Sequence, residues 1–361
     1  MNFLEKWIHS VIGQELRRRS GCGEFRDGDH HPEIKGQDIK GYQLWKISEV
    51  VKYTGERSPF YRRLYQRAGI SPGKVRSLDD FSKIPFTEPR DLIRRPNQFC
   101  CVPQSEIFRG FSADGTPDSL RVFYTKDELD RIVASIAAAL RMVGLKEGDV
   151  LQIMFPPEAE WGCDYLVSRA AESCGASAVV TGQGLLEEQV QKMVEHRPTM
   201  LIGSNPYLYA ITGLAEGRNL HRLGIKSIIL SRGCSYFPFD ESIRREVQEV
   251  WGCRAYDQYG TMEMGLAVSM ECPAQDGLHI NEADLFVEVV DPETGEVLGA
   301  GEEGELVFTT LSRRCMPLVR YRSGDISRLI EGKCKCGAEI LRMEGVKGKI
   351  SRAEGGASQP A

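Results

Sequence analysis

The 361-residue sequence has no surplus of positive charge: 46 lysines and arginines stand against 51 aspartates and glutamates, a net charge of -5 with histidine neutral. A dedicated binder of nucleic acid needs a basic face that this balance does not advertise, and the same holds for an anionic membrane surface. No apolar run approaches the ~20 residues of a helical membrane span. The opening stretch, MNFLEKWIHSVIGQELRRRS, mixes acidic and polar residues into its apolar pattern, which does not fit an export signal. Self-similarity at a period of roughly 20 to 50 residues, the mark of a solenoid or propeller, is absent. There are eleven cysteines. Scattered along a long chain without an export signal, they do not make a disulfide framework, and the expectation is a reducing, cytoplasmic setting. Histidine is scarce, at six residues, and no Ser/His/Asp or Cys/His nucleophile arrangement can be assembled from spacing.

What is present is a globular composition, 41% hydrophobic and 27% charged, in a chain long enough for a sizeable core. Phe3, Leu4, Trp7, Ile8, Val11, Ile12 and Leu16 recur at helical spacing, which predicts an amphipathic helix packed on the body. Residues 20 to 38 read as a polar, glycine-bearing loop, and His30-His31 within it lacks the partners of a metal site. Tyr42 to Arg67 is helical in pattern, and Lys83 to Leu92 (KIPFTEPRDL) is a proline-punctuated turn into another helix. After Arg109 the rhythm changes. Short β-rich runs at 150 to 155, 177 to 180, 200 to 203, 227 to 230 and 254 to 260 alternate with helical stretches such as LDRIVASIAAALRMVG and EEQVQKMVEH, which predicts crossover helices over a largely parallel sheet. From Leu285 the text turns to strands and turns, with DPETG as a hairpin signal, and predicts a small antiparallel or barrel-like subdomain. The last stretch, SRAEGGASQPA, has the composition of a disordered tail.

Three segments in order carry a resemblance: SPFYRRLYQRAGI with SLDDFSKIPFTEPRDL, then DQYGTMEMG, then PLVRYRSGDISRL. Together with DPETGEVL and GELVFTTL they resemble the phenylacetate-CoA ligase family of adenylate-forming enzymes, over roughly residues 42 to 350. The resemblance implies an α/β fold, the N-terminal domain of an adenylate-forming enzyme. It suggests residues 1–40 as N-terminal helix and loop, 41–284 as α/β core, 285–349 as a β-rich subdomain with a zinc site and 350–361 as tail. The mobile C-terminal domain of such ligases is expected to be absent, Gly348-Lys349 standing where the family has its Gly-Arg hinge.

The family's chemistry makes a carboxylate attack the α-phosphate of ATP, which requires a held nucleotide, neutralised phosphate charge and exclusion of water. By resemblance Asp325 accepts the ribose hydroxyls, Tyr259 in Tyr259-Gly260 stacks on adenine, and Glu263 binds Mg²⁺ near the phosphates, with Thr261 beside it and Lys349 at the hinge. The phosphate loop, SSGTTGKP-like in the family, is SADGTPDS here: Ser112, Gly115 and Thr116 keep a hydroxyl-bearing turn, while the lysine and second glycine give way and Asp114 and Asp118 add negative charge. Gly233-Cys234-Ser235-Tyr236 stands in for the adenine segment. Phe155, Trp161 and Tyr236 are candidates for a flat apolar acyl slot, and core packing explains each equally well.

Cys272, His279, Cys334 and Cys336 offer three thiolates and an imidazole, the ligand set of a closed tetrahedral zinc site with a structural role. The spacing, C-x6-H and then C-x-C-G, departs from the two-residue step of zinc ribbons. A phenylacetate-CoA ligase-like subgroup looks similar in both halves, ECPAQDGLHI and GKCKCG. Unliganded thiols beside a surface histidine are the alternative. Cys100-Cys101, Cys163, Cys174, Cys253 and Cys315 read as core residues.

The sequence therefore predicts ATP- and Mg²⁺-dependent activation of a small carboxylic acid, aromatic or not. Onward transfer goes to CoA or a carrier protein, with a separate protein supplying the C-terminal function. Two alternatives stay open: a catalytically silent scaffold that keeps the adenylate fold, motivated by the acidic loop, and an adenylyl transferase acting on a hydroxyl group.

Overall fold

A computed structural model describes residues 1–20, 34–113, 119–156, 162–232 and 241–350. Helix α1 (Phe3–Ser20) buries Leu4, Ile8 and Ile12 but leaves Phe3 exposed, so the apolar stripe packs as expected except at its first residue. Helix α2 (Gly36–Arg57) begins six residues earlier than Tyr42, inside the stretch expected to be loop, and ends at Ser58. The helical pattern to Arg67 is thus two helices. The Ser58 hydroxyl accepts the Tyr61 N–H at 3.3 Å and Pro59 opens α3 (Pro59–Arg67), a cap and a first-turn proline that restart the helix in a new direction. Two short helices follow, α4 (Leu78–Ser82) and α5 (Pro89–Arg94).

The segment KIPFTEP between them is not a passive turn. Thr87 lies as a single-residue strand beside Tyr321, its N–H donating to Arg320 O at 2.9 Å and its carbonyl accepting from Arg322 N at 3.0 Å. Its hydroxyl meets that of Tyr61 at 3.1 Å, which in turn accepts the Val319 N–H at 2.8 Å.

A hairpin of β1 (Arg109–Ser112) and β2 (Arg121–Tyr124) precedes α6 (Lys126–Met142). A reciprocal box of Thr125 and Glu128 starts that helix. Alternation then builds the main layer: β3 (Val150–Met154), α7 (Cys163–Ser173), β4 (Ser177–Val180), α8 (Leu186–His196), β5 (Met200–Ser204), α9 (Asn205–Arg218), β6 (Ser227–Ser231), α10 (Glu241–Trp251) and β7 (Arg254–Tyr259). Strands β5 and β6 are buried at every residue. Near-continuous apolar runs mark strands covered on both faces by crossover helices. The parallel order β7-β6-β5-β3-β4 continues antiparallel through β8 (Ser269–Glu271) and β9 (Leu278–Ile280).

A second, antiparallel sheet holds β10 (Leu285–Val290), β11 (Gly304–Thr310) and β12 (Tyr321–Ser327). The DPETG turn follows β10, with Asp291 Oδ1 accepting the Glu293 and Thr294 N–H groups at 2.9 and 2.7 Å. After β12 the chain leaves this sheet. Strands β13 (Leu329–Ile330) and β14 (Arg342–Met343) join the edge of the large sheet beside β9, giving it nine strands, and β15 (Gly348–Lys349) returns to pair with β12. The stretch expected as one subdomain over 285–349 is therefore shared between two sheets. No described helix is long and apolar enough to cross a membrane.

Candidate functional site

The two sheets meet where β7 ends and β12 begins. Along β12 burial alternates strictly, so Tyr321, Ser323 and Asp325 share the inward face. That face is polar. Tyr259, the last residue of β7, donates its hydroxyl to Asp325 Oδ2 at 2.6 Å. Two strands of different sheets are thereby joined at the C-terminal end of a parallel strand, the place where open α/β sheets bind ligands. Burial pushes the Asp325 carboxyl above its ordinary range, and the Tyr259 hydroxyl pulls the other way by bonding the ionised form. The Tyr259 phenol, buried beside a carboxylate, is held well above its usual value. Lys349 on β15 lies opposite Asp325 in register, its Nζ 4.0 Å from Oδ1.

Residues 260–265 form a tight turn out of β7. The Gly265 N–H donates to Thr261 O at 2.8 Å and the Thr261 hydroxyl accepts Met264 N–H at 3.3 Å. A Cβ at Gly260 would stand 2.6 Å from the Gly265 carbonyl oxygen, so the turn closes only on glycine. This geometry presents Glu263 to Tyr321, whose hydroxyl donates to Oε1 at 2.8 Å. Tyr321 is itself pushed well above the ordinary phenol range, by burial first and by Glu263 second. From the other side, the Tyr124 hydroxyl donates to Met262 O at 2.7 Å and ties the β1–β2 hairpin to the turn.

Tyr259, Gly260, Thr261, Glu263, Asp325 and Lys349 therefore come together around the junction of β7 and β12. Ser112 closes the hairpin, its hydroxyl 3.1 Å from that of Ser119, which also accepts Ala113 N–H. Phe155 follows β3 and is buried in the core cluster. Gly115, Thr116, Trp161, Gly233, Tyr236 and the pair His30-His31 lie outside the described residues. Tyr321 and Tyr124, which orient the glutamate and the turn, were not singled out by the sequence. A tyrosine four residues ahead of an inward aspartate in a strand was the available signal.

Cys272, His279, Cys334 and Cys336 do converge, with one ligand atom from each all within 4.8 Å of one another. Cys272 Sγ and Cys334 Sγ are 3.7 Å apart, and Cys336 Sγ lies 3.5 Å from His279 Nε2. A tetrahedral ion with metal–sulfur bonds of about 2.3 Å and a metal–nitrogen bond of about 2.0 Å separates its ligands by roughly 3.5 to 3.8 Å, so the donor set fits. The cluster sits where β8, β9 and the turn between β13 and β14 meet, at the edge of the large sheet and not within the four-stranded one. Asn2 Nδ2 donates to Cys336 Sγ at 3.6 Å and Glu5 Oε1 accepts Glu339 N–H at 2.7 Å, so the start of α1 rests on the same turn. Of the other cysteines, Cys101, Cys163, Cys174 and Cys315 are buried, whereas Cys100 and Cys253 are half-buried.

The chain is 32% identical over 329 residues to the phenylacetate-coenzyme A ligase of Thermus thermophilus, covering 89% of this chain and 73% of that protein. With the Escherichia coli protein of the same name it shares 30% over 322 residues, 86% of this chain and 71% of that one. No family model matches the chain. The fold is that of 2-hydroxyisobutyryl-CoA ligase, whose crystal structure with 2-HIB-AMP and CoA aligns at a TM-score of 0.80 and 23% identity over 91% of this chain and 74% of that chain. Sequence identity sustained over nearly nine-tenths of its length places this chain in the phenylacetate-CoA ligase family.

Proposed function

We propose that this protein is an AMP-forming acid ligase that condenses a small carboxylic acid with ATP and passes the acyl group to CoA. A carboxylate oxygen of the acid attacks the α-phosphorus, the bond to the β-phosphate breaks and pyrophosphate leaves. The thiol of CoA, losing its proton to solvent, then attacks the acyl carbon and expels AMP. The observation that carries this reading is the buried Tyr259–Asp325 contact at the end of β7. Asp325 has a carboxylate desolvated enough to be a strong acceptor and anchored by one donor, so its oxygens can take the ribose hydroxyls. With its hydroxyl so tied, the Tyr259 ring is fixed in orientation as a cover for adenine.

Glu263 is the residue that would hold Mg²⁺. It is partly exposed, one oxygen is set by Tyr321, and a carboxylate is a hard oxygen ligand of the type that ion takes. When bound, the ion supplies charge neutralisation at the phosphates. Thr261 offers a hydroxyl at the same turn, Lys349 a cation beside Asp325, and Ser112 a hydroxyl at the mouth of the phosphate loop. Gly115, Thr116, Gly233, Trp161 and Tyr236 enter on sequence alone, and Phe155 is the described wall of the acyl side. The four-ligand cluster is read as a closed structural zinc site that fastens the 329–343 excursion to the large sheet.

Acid-dependent exchange of pyrophosphate into ATP tests the reading. Wild type exchanges and Asp325→Ala loses about 100-fold or more, since two hydrogen bonds to a charged acceptor contribute roughly 1.5–3 kcal/mol each. The acidic, lysine-free loop at 112–119 favours a second reading, a silent scaffold. Absence of both exchange and nucleotide binding at millimolar ATP would select it.

A further inference from the structure

Three arginines are fully buried among the described residues. Arg320, 2% exposed, pairs with Glu288, and Arg342, 4% exposed, pairs with Asp276. Arg313 differs. It is 6% exposed, neither Nη1 nor Nη2 forms an ion pair with a carboxylate among the described residues, and the polar group it is set against is the Tyr124 side chain. A guanidinium keeps its charge in a protein interior, and the buried Glu128 carboxylate lining the same cavity balances it without forming an ion pair with it.

The neighbouring carboxylates are already engaged. Glu128 accepts the Thr125, Arg314 and Cys315 N–H groups, and Asp284 accepts from Arg131 and Asn281. What faces the guanidinium is the Tyr124 ring, 4.8 Å from the centroid, and the turn at Gly265, whose Cβ position would lie 3.5 Å from Nη2. Arg313 also lines a cavity of about 30 Å³ together with Asn281. Asn281 Nδ2 donates to Ser135 Oγ and Asp284 Oδ2, each at 2.9 Å, and the carboxylate of Asp284 demands that orientation of the amide. Its Oδ1 is left buried and unpartnered. This polar cavity shares a wall, Ile132, Gly265 and Leu266, with a smaller one lined by Phe111, Cys163, Leu166 and Thr261. Thr261, on the turn that carries Glu263, lines the smaller cavity, so an acid whose reacting end lies at that turn extends past Leu266 toward Arg313.

We propose that Arg313 receives a second carboxylate at the end of the substrate remote from the one activated, so that the preferred acids are small dicarboxylates. Planar bidentate recognition of a carboxylate suits a fixed guanidinium. Asn281 Oδ1 accepts from a water or hydroxyl beside that group. The inference rests on the acid-activating reading for which end reacts, but not for the binding itself.

The test uses the full chain, a length-graded series of aliphatic and aromatic dicarboxylic acids, and monocarboxylates of matched size. Without ATP, dicarboxylates raise the melting temperature of wild type, matched monoacids do not, and Arg313→Met removes the shift while Arg313→Lys keeps part of it. In pyrophosphate exchange the ratio of kcat/KM for diacid over monoacid falls roughly 10- to 100-fold in Arg313→Met. Equal loss for both acids puts the guanidinium on the nucleotide and overturns the proposal, as does a wild-type enzyme that prefers monoacids. Diacid stabilisation with no exchange of any acid would instead overturn the acid-ligase reading and leave Arg313 as a carboxylate receptor. If Arg313→Met does not fold, the wild-type series and Arg313→Lys decide.

Discussion

Replacing Tyr259 by phenylalanine removes one oxygen and keeps the ring, which isolates the bond that joins the two sheets. That hydroxyl donates to Asp325 at 2.6 Å with both side chains buried. A hydrogen bond to a charged acceptor contributes about 1.5–3 kcal/mol, and a bond to a neutral one about 0.5–1.5 kcal/mol. The Asp325 carboxyl is raised by burial, and loss of the Tyr259 hydroxyl, which opposes that shift, raises it further. A carboxyl that holds its proton more tightly folded than unfolded lowers stability as pH climbs from the unfolded value through the folded one; below both values the penalty is absent. Tyr259→Phe therefore costs about 1.5–3 kcal/mol in urea unfolding at slightly alkaline pH, and the loss shrinks as pH falls toward the ordinary carboxylate range. In an Asp325→Asn background the same substitution costs about 0.5–1.5 kcal/mol at every pH. A loss that is the same in both backgrounds and independent of pH would show that the hydroxyl and the carboxylate do not meet.

Two further outcomes follow from other contacts. Elemental analysis of protein expressed with ample zinc gives about one zinc per chain, Cys334→Ser lowers the content and the melting temperature together, and a wild-type value near zero removes the metal. Glu288→Gln leaves Arg320 buried without its counter-ion and costs about 3–5 kcal/mol, measured by denaturant midpoint; Glu344→Gln, whose pair with Arg328 is solvent-facing, costs about 0–1 kcal/mol in the same assay.

The parallel layer was legible because each strand is a short apolar run separated from the next by a helical period, and all five expected runs coincide with β3 to β7. The four metal-type ligands were picked out by residue type together with the resemblance of ECPAQDGLHI and GKCKCG to one ligase-like subgroup, since their spacing departs from that of zinc ribbons. Their placement was not legible. Strands of two residues, such as Leu329–Ile330 and Arg342–Met343, carry no alternation to read, so the crossing of the chain to the large sheet has no local signal. The break at Ser58 was written as a Ser-Pro pair but was lost within a continuous helical pattern. Pairings remote in sequence, Tyr321 with Glu263 across 58 residues and Arg313 against the Tyr124 ring, arise only from packing.

The same crossing links the cysteine–histidine cluster to Asp325. Asp325 belongs to the four-stranded sheet and Tyr259 to the nine-stranded one, so their 2.6 Å contact depends on how the sheets are set against each other. The chain that follows Asp325 runs directly onto the edge of the large sheet, folds through the cysteine turn, and comes back as β15 with Lys349 opposite Asp325. Backbone bonds hold the return at Lys347 N–H to Ile326 O, 2.9 Å, and Ile350 N–H to Gly324 O, 2.7 Å. Gly324 makes that close return possible: its φ of +77° is left-handed backbone that side-chain-bearing residues resist. Loosening the turn at Cys334 and Cys336 frees β13 and β14 first. Because β12 and β15 flank that excursion in sequence, the loss of order reaches Asp325 before it reaches the parallel strands. On the ribose-holding role proposed for Asp325, nucleotide affinity then falls at temperatures where the parallel layer is still folded.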